Sequence, residues 1–158
     1  MIIRKARRGD LGDIANLMAR HARSEPYGGT FELDEPALDA LCFGRQEPAC
    51  RFLVSEGAEG RIDGYALYFL QDVTFRNRPM LYLNDLMVEE GRRRGGVARA
   101  LMEALCAEAW SLGCFRLKWG VASSNTAAIA FYERIGAVEE NGKRYFMIDE
   151  KLQTSGAD

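Results

Sequence analysis

Apolar side chains recur with two different periods in the middle of the chain, and the change of period locates two elements. Between Leu81 and Val88 the residues are mostly apolar, and they include branched and aromatic side chains typical of a strand. A period of two would place four side chains on one face of this strand: Leu81, Leu83, Asp85 and Met87. From Val97 the apolar spacing becomes three and four residues as far as Leu112, and Gly113 follows, so an amphipathic helix is predicted. Residues 89–96 are therefore predicted to form a tight loop at the helix N-terminus.

Similar patterns predict the other elements. In chain order they are a strand from Ile2 to about Arg7, a helix after Asp10 whose apolar side includes Leu17 and His21, a loop over 24–31, a helix after Asp34 that ends at Gly44, two strands over 51–55 and 62–70, a strand over 115–121, a helix over 126–135 and a hairpin over 137–148. The pair Asn141-Gly142 is a strong turn signal for that hairpin. The order predicts three antiparallel strands followed by a right-handed strand, helix, strand crossover with parallel strands.

Length and composition narrow the class of protein. The 158 residues are predicted to form one domain over 1–152 and a disordered tail over 153–158. The net charge of -2 gives no overall field that would attract nucleic acid or an anionic membrane. Because no apolar run reaches the roughly 18 residues of a membrane span and no signal peptide is evident, a cytoplasmic protein is expected. The cysteines lack C-x-x-C spacing and are predicted to be reduced thiols rather than disulfides or a metal site: Cys42, Cys50, Cys106 and Cys114.

The loop before the long helix combines arginines with glycines. A strand that leads through such a loop into a helix directs unpaired backbone N–H groups, and the positive end of the helix dipole, towards one point where a phosphate fits. The spacing is neither the dinucleotide fingerprint nor the nucleotide P-loop, and it reads Arg93-x-x-Gly96-x-Ala98. An arginine-rich turn that only caps the helix, with residues 92–94 solvated, is the alternative interpretation.

A second motif lies further along the chain and reads Asn125-x-x-Ala128-x-x-Phe131-Tyr132-x-x-x-Gly136. Seven residues of helix turn through about 700°, so Asn125 and Tyr132 share a face and lie about 10 Å apart. One long, thin ligand could touch both, although Asn125 could instead cap the helix while Tyr132 packs in the core. Together, the two motifs resemble the coenzyme-binding segments of the GNAT superfamily of acyl-coenzyme A transferases.

The resemblance implies a fold, a reaction and a set of coenzyme-binding residues. The implied fold is an α/β GNAT fold, in which four helices flank a mixed, mainly antiparallel twisted sheet of six to seven strands and a parallel strand-helix-strand crossover carries the coenzyme A loop. The implied reaction transfers an acetyl group from the cosubstrate acetyl-CoA to a primary amine by direct attack in a ternary complex, without a metal. The residues assigned to the coenzyme are Leu86, Met87, Val88, Arg93, Arg94, Gly95, Gly96, Val97, Ala98, Asn125 and Tyr132.

The same resemblance implies catalytic roles for three residues. The strand of this family bulges and separates from the next strand near Leu86, whose backbone N–H would stabilise the tetrahedral oxyanion. The phenol of Tyr132 would protonate the leaving thiolate. Asp85 would bind the acceptor ammonium or act on it through water, or it would make only structural hydrogen bonds.

Within the superfamily, most of the chain resembles the diamine N-acetyltransferases of the spermidine/spermine type. Those enzymes carry a glutamate, proposed as a base or amine binder, where this chain has Asn84, and an asparagine cannot accept a proton. Acceptor binding is predicted at Asn84, Asp85 and Glu32. Glu32 belongs to an acidic front segment that would attract a small cation or would simply be solvated. Relatives of this type also imply a homodimer.

Other acceptors and one other class of function stay open. Protein N-termini, lysine side chains and aminoglycosides are alternative amines. A noncatalytic acyl-CoA sensor would share the fold; the presence of Tyr132 disfavours it, whereas Asn84 mildly favours it. A nucleic-acid-binding module is disfavoured, because no basic or aromatic face accompanies residues 92–94.

Overall fold

A computed structural model describes residues 1–24 and 33–142. Its strands and helices are, in chain order, β1 (Ile2–Lys5), α1 (Leu11–Ser24), α2 (Glu35–Cys42), β2 (Arg51–Glu56), β3 (Ile62–Val73), β4 (Arg78–Val88), α3 (Val97–Ser111), β5 (Leu117–Lys118) and α4 (Thr126–Arg134). Short 3-10 turns precede α1, β3, β4 and α3 at Arg8–Asp10, Ala58–Gly60, Thr74–Arg76 and Glu90–Arg92. Within the described ranges, no helix is both long enough and apolar enough to cross a membrane.

The chain divides into two compact units, Met1–Gly120 and Val121–Asp158. The first unit contains β1 to β5 with α1, α2 and α3, and the second contains α4 among its described residues 121–142. The organisation as one domain over 1–152 stays a prediction. The tail over 153–158 and most of the loop predicted over 24–31 lie outside the described residues.

The strands form one mixed sheet in the order β1-β2-β3-β4-β5. The pairs β1–β2, β2–β3 and β3–β4 are antiparallel, whereas β4 and β5 are parallel and α3 connects them. This confirms the predicted succession of antiparallel strands followed by a strand, helix, strand crossover. The long β3–β4 pair forms the centre of the sheet, and β3 is rich in the β-branched and aromatic side chains that favour a pleated surface.

The strand count differs from the six to seven expected, because the structure describes five strands. Residues 137–142 form no strand, and the second arm of the hairpin predicted over 137–148 lies outside the described residues. The strand predicted over 115–121 is also shorter, since its ladder covers only Leu117 and Lys118. Alternation in the sequence indicates which side chains share a face, but it does not show whether a neighbouring strand is present to pair with. Here β4 pairs with β5 only at Leu81 and Tyr82, so the strand is short.

One face of the sheet packs against α1 and α2. Their buried side chains follow helical spacing and meet residues of β2, β3 and β4 in one apolar cluster: Leu11, Ile14, Leu17, Leu38, Cys42, Phe52, Val54, Ile62, Tyr65, Leu67 and Met87. Burying a side chain of this size contributes roughly 1.5–3 kcal/mol. This cluster therefore fixes α1 over β3 and β4, where the end of the helix carries His21.

The turn before α1 is held by an ionic network around Asp10. Its carboxylate accepts a hydrogen bond from the backbone N–H of Arg7 at 2.6 Å and two from the guanidinium of Arg4 at 2.7 and 2.8 Å. Nε of Arg4 also donates to Glu56 of β2 at 2.5 Å. The charge-assisted bonds from Arg4 hold the pKa of Asp10 below its ordinary value, although partial burial acts in the opposite direction.

The other face of the sheet packs against α3. The buried side chains of this helix are Val97, Leu101, Met102, Leu105 and Ala109. Gly64 of β3 permits close contact with its first turn, because a Cβ there would lie 3.0 Å from the backbone oxygen of Met87 and 3.1 Å from Cγ1 of Val97. A glycine within a strand is a signal for such close approach. Gly64 therefore positions the N-terminus of α3 against the sheet.

The four cysteines are free thiols, as predicted. The sulfur atoms of Cys42 and Cys50 lie 3.5 Å apart, beyond the length of a disulfide bond. Burial raises the pKa of Cys106 and of Cys114 above the ordinary thiol value. The described residues contain no group of three or more histidine, cysteine or acidic side chains arranged to hold a metal ion.

Candidate active site

A bulge in β4 changes which side chains and backbone groups face each way. Asp85 lies opposite Leu67 and Leu83 lies opposite Tyr68, so Asn84 is an extra residue without a partner on β3. Its side chain is exposed. Because the alternation shifts by one residue at this point, the prediction of a single face for residues 81, 83, 85 and 87 is wrong. Asp85, opposite Leu67, shares the face that α1 covers.

Among the described residues, no strand pairs with the edge of β4 beyond the bulge, and this edge is called the open edge below. Before the bulge, the backbone N–H of Leu81 donates to the oxygen of Arg116 at 3.0 Å, towards β5. After the bulge, the N–H of Glu89 donates to the oxygen of Asp63 at 2.9 Å, towards the segment that begins β3. By alternation, the N–H of Leu86 points to the β5 side, where no ladder pair follows Tyr82 among the described residues. This edge can hydrogen-bond an extended ligand, and the Leu86 N–H can stabilise an oxyanion.

The loop after β4 exposes backbone donors at the start of α3. Gly96 is the N-cap residue with φ of +82°, a left-handed conformation that favours glycine. The first helical hydrogen bond runs from the N–H of Ala100 to the oxygen of Gly96 at 3.0 Å. The N–H groups of Val97 and Ala98 therefore have no acceptor within the helix, and the positive end of a 15-residue helix lies behind them. This arrangement suits an anion such as a phosphate.

Two of the three loop arginines form polar contacts with residues of the sheet strands and are not only solvated. Nε of Arg92 lies 2.9 Å from Oδ2 of Asp63, whose side chain is buried. Nε of Arg93 donates to the backbone oxygen of Val88 at 3.3 Å. Arg94 is exposed, and its backbone φ of +63° is unusual for a residue with a side chain. The structure thus brings the residues predicted to bind coenzyme in β4 and in the loop to one end of the sheet.

Asp85 belongs to a hydrogen-bonded group on the α1 face. Its Oδ2 accepts a short hydrogen bond from the hydroxyl of Tyr65, and its Oδ1 lies 3.3 Å from Nε2 of His21. Burial, reinforced by the Asp85 carboxylate, raises the pKa of Tyr65 far above its ordinary value, so this phenol stays protonated and donates. His21 and Asp85 are about one quarter and one fifth exposed. Both groups therefore reach solvent from the edge of the core.

The sequence analysis missed Tyr65 and placed His21 on the apolar side of the first helix without a catalytic role. The available signal was the position of His21 four residues after Leu17, on the buried side of α1. The acidic front segment is only partly described. Glu32 lies outside the described residues, and Asp34 caps α2 by accepting from the N–H of Ala37 at 2.9 Å.

The second motif forms α4 and its ends. Asn125 caps the helix, since its Oδ1 accepts a hydrogen bond from the N–H of Ala128 at 3.1 Å. Gly136 ends it with φ of +89°, and the N–H of Ala137 donates to the oxygen of Tyr132 at 3.0 Å. The ring of Tyr132 is half-buried, with its centre 5.2 Å from that of Phe131. The capping role of Asn125 is thus observed, and the coenzyme roles of Asn125 and Tyr132 stay predictions.

Comparison with known proteins gives similarity over most of the chain. Residues 16–137 match the family described as the acetyltransferase (GNAT) family. A thialysine N-epsilon-acetyltransferase of Bos taurus is 31% identical in an alignment 144 residues long, which covers 87% of this chain and 84% of that protein. An L-ornithine N5-acetyltransferase of Arabidopsis thaliana is 32% identical over 87 residues, covering 55% of this chain and 38% of the plant protein.

A solved structure described as a probable acetyltransferase shares the fold, with a TM-score of 0.81 and 22% identity over 95% of this chain and 99% of that one. The bulged β4 with its open edge, and the glycine loop before α3, fit the two features that the resemblance implies for this fold. The chain therefore belongs to the GNAT family of acetyltransferases, which take the acetyl group from acetyl-CoA.

Proposed function

We propose that this chain acetylates the primary amine of a small cationic acceptor, with acetyl-CoA as the acetyl donor and direct attack in a ternary complex. The observation that carries the proposal is the adjacency of two groups on β4. The Asp85 carboxylate can attract an ammonium group, and the next residue, Leu86, presents a backbone donor at the open edge. The names of the relatives also describe transfer to the side-chain amine of an amino acid, thialysine in one case and ornithine in the other.

The coenzyme is proposed to bind from the N-terminus of α3 along the open edge of β4. The diphosphate would accept hydrogen bonds from the amides of Gly96, Val97 and Ala98 and would be close to the side chains of Arg93 and Arg94, while Gly95 keeps the loop free of a side chain. The pantetheine amides would pair with the backbone of residues 86–88 as an added strand does. Asn125 is assigned to a pantetheine amide from its place in the second motif.

The chemistry requires three things from the protein. The first is a base for the amine. An alkyl ammonium has a pKa of about 10.4, so at pH 7.4 only about one molecule in a thousand is neutral and nucleophilic, and deprotonation costs roughly 4 kcal/mol. The neutral nitrogen then attacks the thioester carbonyl, and the oxyanion that forms accepts a hydrogen bond from the Leu86 N–H. The C–S bond breaks next, and Tyr132 is proposed to give the leaving thiolate its proton, an effect worth about 10²- to 10⁴-fold.

The acceptor is proposed to be a diamino acid or a small diamine. Asn84 is neutral, whereas the spermidine/spermine type has a glutamate at this position. Asp85 is therefore the acidic side chain in this part of β4 that can bind a cation. Glu32 is proposed to add a second negative charge. A long polyamine gains less from such a site than a short acceptor, because its additional ammonium groups meet fewer carboxylates.

A thiol-release assay with acetyl-CoA tests this function across L-ornithine, thialysine, spermidine, an aminoglycoside and a lysine-containing peptide. We expect the highest kcat/KM on a diamino acid or short diamine. Turnover confined to peptides would favour protein acetylation instead. Turnover on none of these amines, combined with tight binding of coenzyme A, would favour the acyl-CoA sensor. The homodimer implied by the resemblance is proposed as well, and sedimentation of the purified protein tests it.

A further inference from the structure

We propose that the imidazole of His21, paired with Asp85, is the base that removes a proton from the acceptor ammonium. This inference rests on the proposed function and adds the group that the reaction lacks. Asn84 cannot accept a proton, and the phenol of Tyr65 stays protonated because of burial and the nearby Asp85 carboxylate. Among the described residues at this point of β4, His21 and Asp85 are left to receive it.

The fold fixes His21 beside β4. Leu17, one helical turn earlier, is fully buried in the cluster between α1 and the sheet, so the helix cannot rotate away without exposing its apolar side. Nε2 of His21 then lies 3.3 Å from Oδ1 of Asp85. Since the imidazole side chain is 27% exposed, it remains accessible to a substrate or to a bridging water. The pair thus lies at the boundary between core and solvent, next to the residue that supplies the oxyanion donor.

The negative charge of Asp85 beside His21 suits a base that becomes positively charged during the reaction. Asp85 faces the ring from β4, and Tyr65 of β3 donates to the other oxygen of the same carboxylate. The neighbouring cation on α1, Arg20, is paired with Glu89 at 3.4 Å. A carboxylate that orients an imidazole and stabilises its protonated form is the arrangement that serves the histidine base of serine hydrolases.

The proton balance is complete without another reactant. The ammonium transfers one proton to Nδ1 of His21, the imidazole nitrogen that does not face Asp85, directly or through one water, and becomes a neutral amine. The amine nitrogen forms a bond to the acetyl carbon, and the C–S bond breaks. Tyr132 gives its proton to the thiolate, and the second proton of the nitrogen returns to the phenol through solvent. The products are the acetamide and free coenzyme A, and the imidazolium returns its proton to water.

The first test compares the pH dependence of kcat/KM in the wild type and in His21→Gln. Glutamine retains an N–H group that can donate to Asp85, but it cannot accept the proton. The wild type should lose activity as the pH falls through the ionisation of an imidazole. His21→Gln should lack this limb, increase with pH up to the pKa of the amine, and be about 10²- to 10⁴-fold slower at pH 7.4. An unchanged profile in His21→Gln would overturn the inference while leaving the acetyltransferase function intact.

A second measurement separates proton transfer from a merely structural role. An analogue of the best acceptor, fluorinated beside its amine so that the pKa falls towards neutrality, needs little help from a base. The defect of His21→Gln should shrink at least tenfold on this analogue. A defect of the same size on both acceptors would mean that His21 only positions Asp85. Arg20→Gln removes a charge from the same end of α1, and we expect it to retain the pH profile of the wild type. Inactivity of the wild type on every amine would instead contradict the proposed function.

Discussion

Leu81 and Leu86 direct their backbone N–H groups to the same edge of β4, although five residues separate them. In a regular strand, residues an odd number apart face opposite edges. The bulge explains why these two N–H groups nevertheless face the same edge. Asn84 has no partner on β3, so it adds one residue to β4 and shifts the alternation by one. The first N–H bonds the segment leading into β5, and the second lies beyond the last ladder pair. The extra residue thus turns the Leu86 N–H towards the edge that has no ladder partner after Tyr82 among the described residues.

Substitution Asn84→Glu should introduce a second proton acceptor next to Asp85. The side chain is exposed at the bulge, so we expect a change in the free energy of unfolding within about 0.5 kcal/mol. In the His21→Gln background, the new carboxylate should recover at least tenfold of the lost kcat/KM, measured by thiol release. No recovery in a stable double variant would show that a base at position 84 cannot reach the acceptor.

Substitution Tyr132→Phe should lower turnover at least tenfold, because the leaving thiolate would lose its proton donor. The affinity for coenzyme A, measured by calorimetry, should change little. Tyr68→Phe is the control, since that buried hydroxyl donates to Glu108 on the other face of the sheet at 3.1 Å. We expect this control to lose about 1 kcal/mol of stability and to retain its activity. Equal turnover in Tyr132→Phe and the wild type would remove the phenol from the acid role.

Substitution Gly96→Ala should weaken coenzyme A binding at least tenfold, because a side chain enters the loop that presents the amides. The residue has φ of +82°, so alanine also costs about 1 kcal/mol of backbone strain. Gly113→Ala is a matched control at the opposite end of α3, with φ of +73° and, as at Gly96, no atom within 4 Å of the added Cβ. Similar losses of thermal stability are expected in both variants, with weaker binding only in Gly96→Ala. Unaltered binding in Gly96→Ala would place the diphosphate elsewhere.

Acid should destabilise the protein partly through Asp10. The pKa of this carboxyl is lower in the folded than in the unfolded chain because Arg4 binds its charged form. Its contribution is therefore present above the unfolded value of about 3.9 and is lost as the pH falls through the lower folded value. Asp10→Asn should cost about 1.5–3 kcal/mol in urea unfolding at pH 7. The gap between variant and wild type should narrow progressively as the pH falls below about 3.9, and a constant gap would contradict the assignment.

Local patterns of the sequence predicted the β4, loop and α3 unit because period and turn chemistry are properties of neighbouring residues. The bulge at Asn84 followed only from the family resemblance, since alternation by itself put Leu83 and Asp85 on one face. The group formed by His21, Tyr65 and Asp85 depends on how α1 packs across two strands that are distant in sequence. No single-segment pattern reports such a contact. The short extent of β5 likewise depends on where β4 leaves it.

A crystal structure with coenzyme A bound tests the central claim most directly, because the claim specifies which backbone groups hold the coenzyme. The account predicts the diphosphate within hydrogen-bonding distance of the Val97 and Ala98 amides. It also predicts the pantetheine alongside residues 86–88, with the sulfur end near the N–H of Leu86. A diphosphate bound away from the start of α3, or a pantetheine that does not follow the open edge of β4, would contradict it.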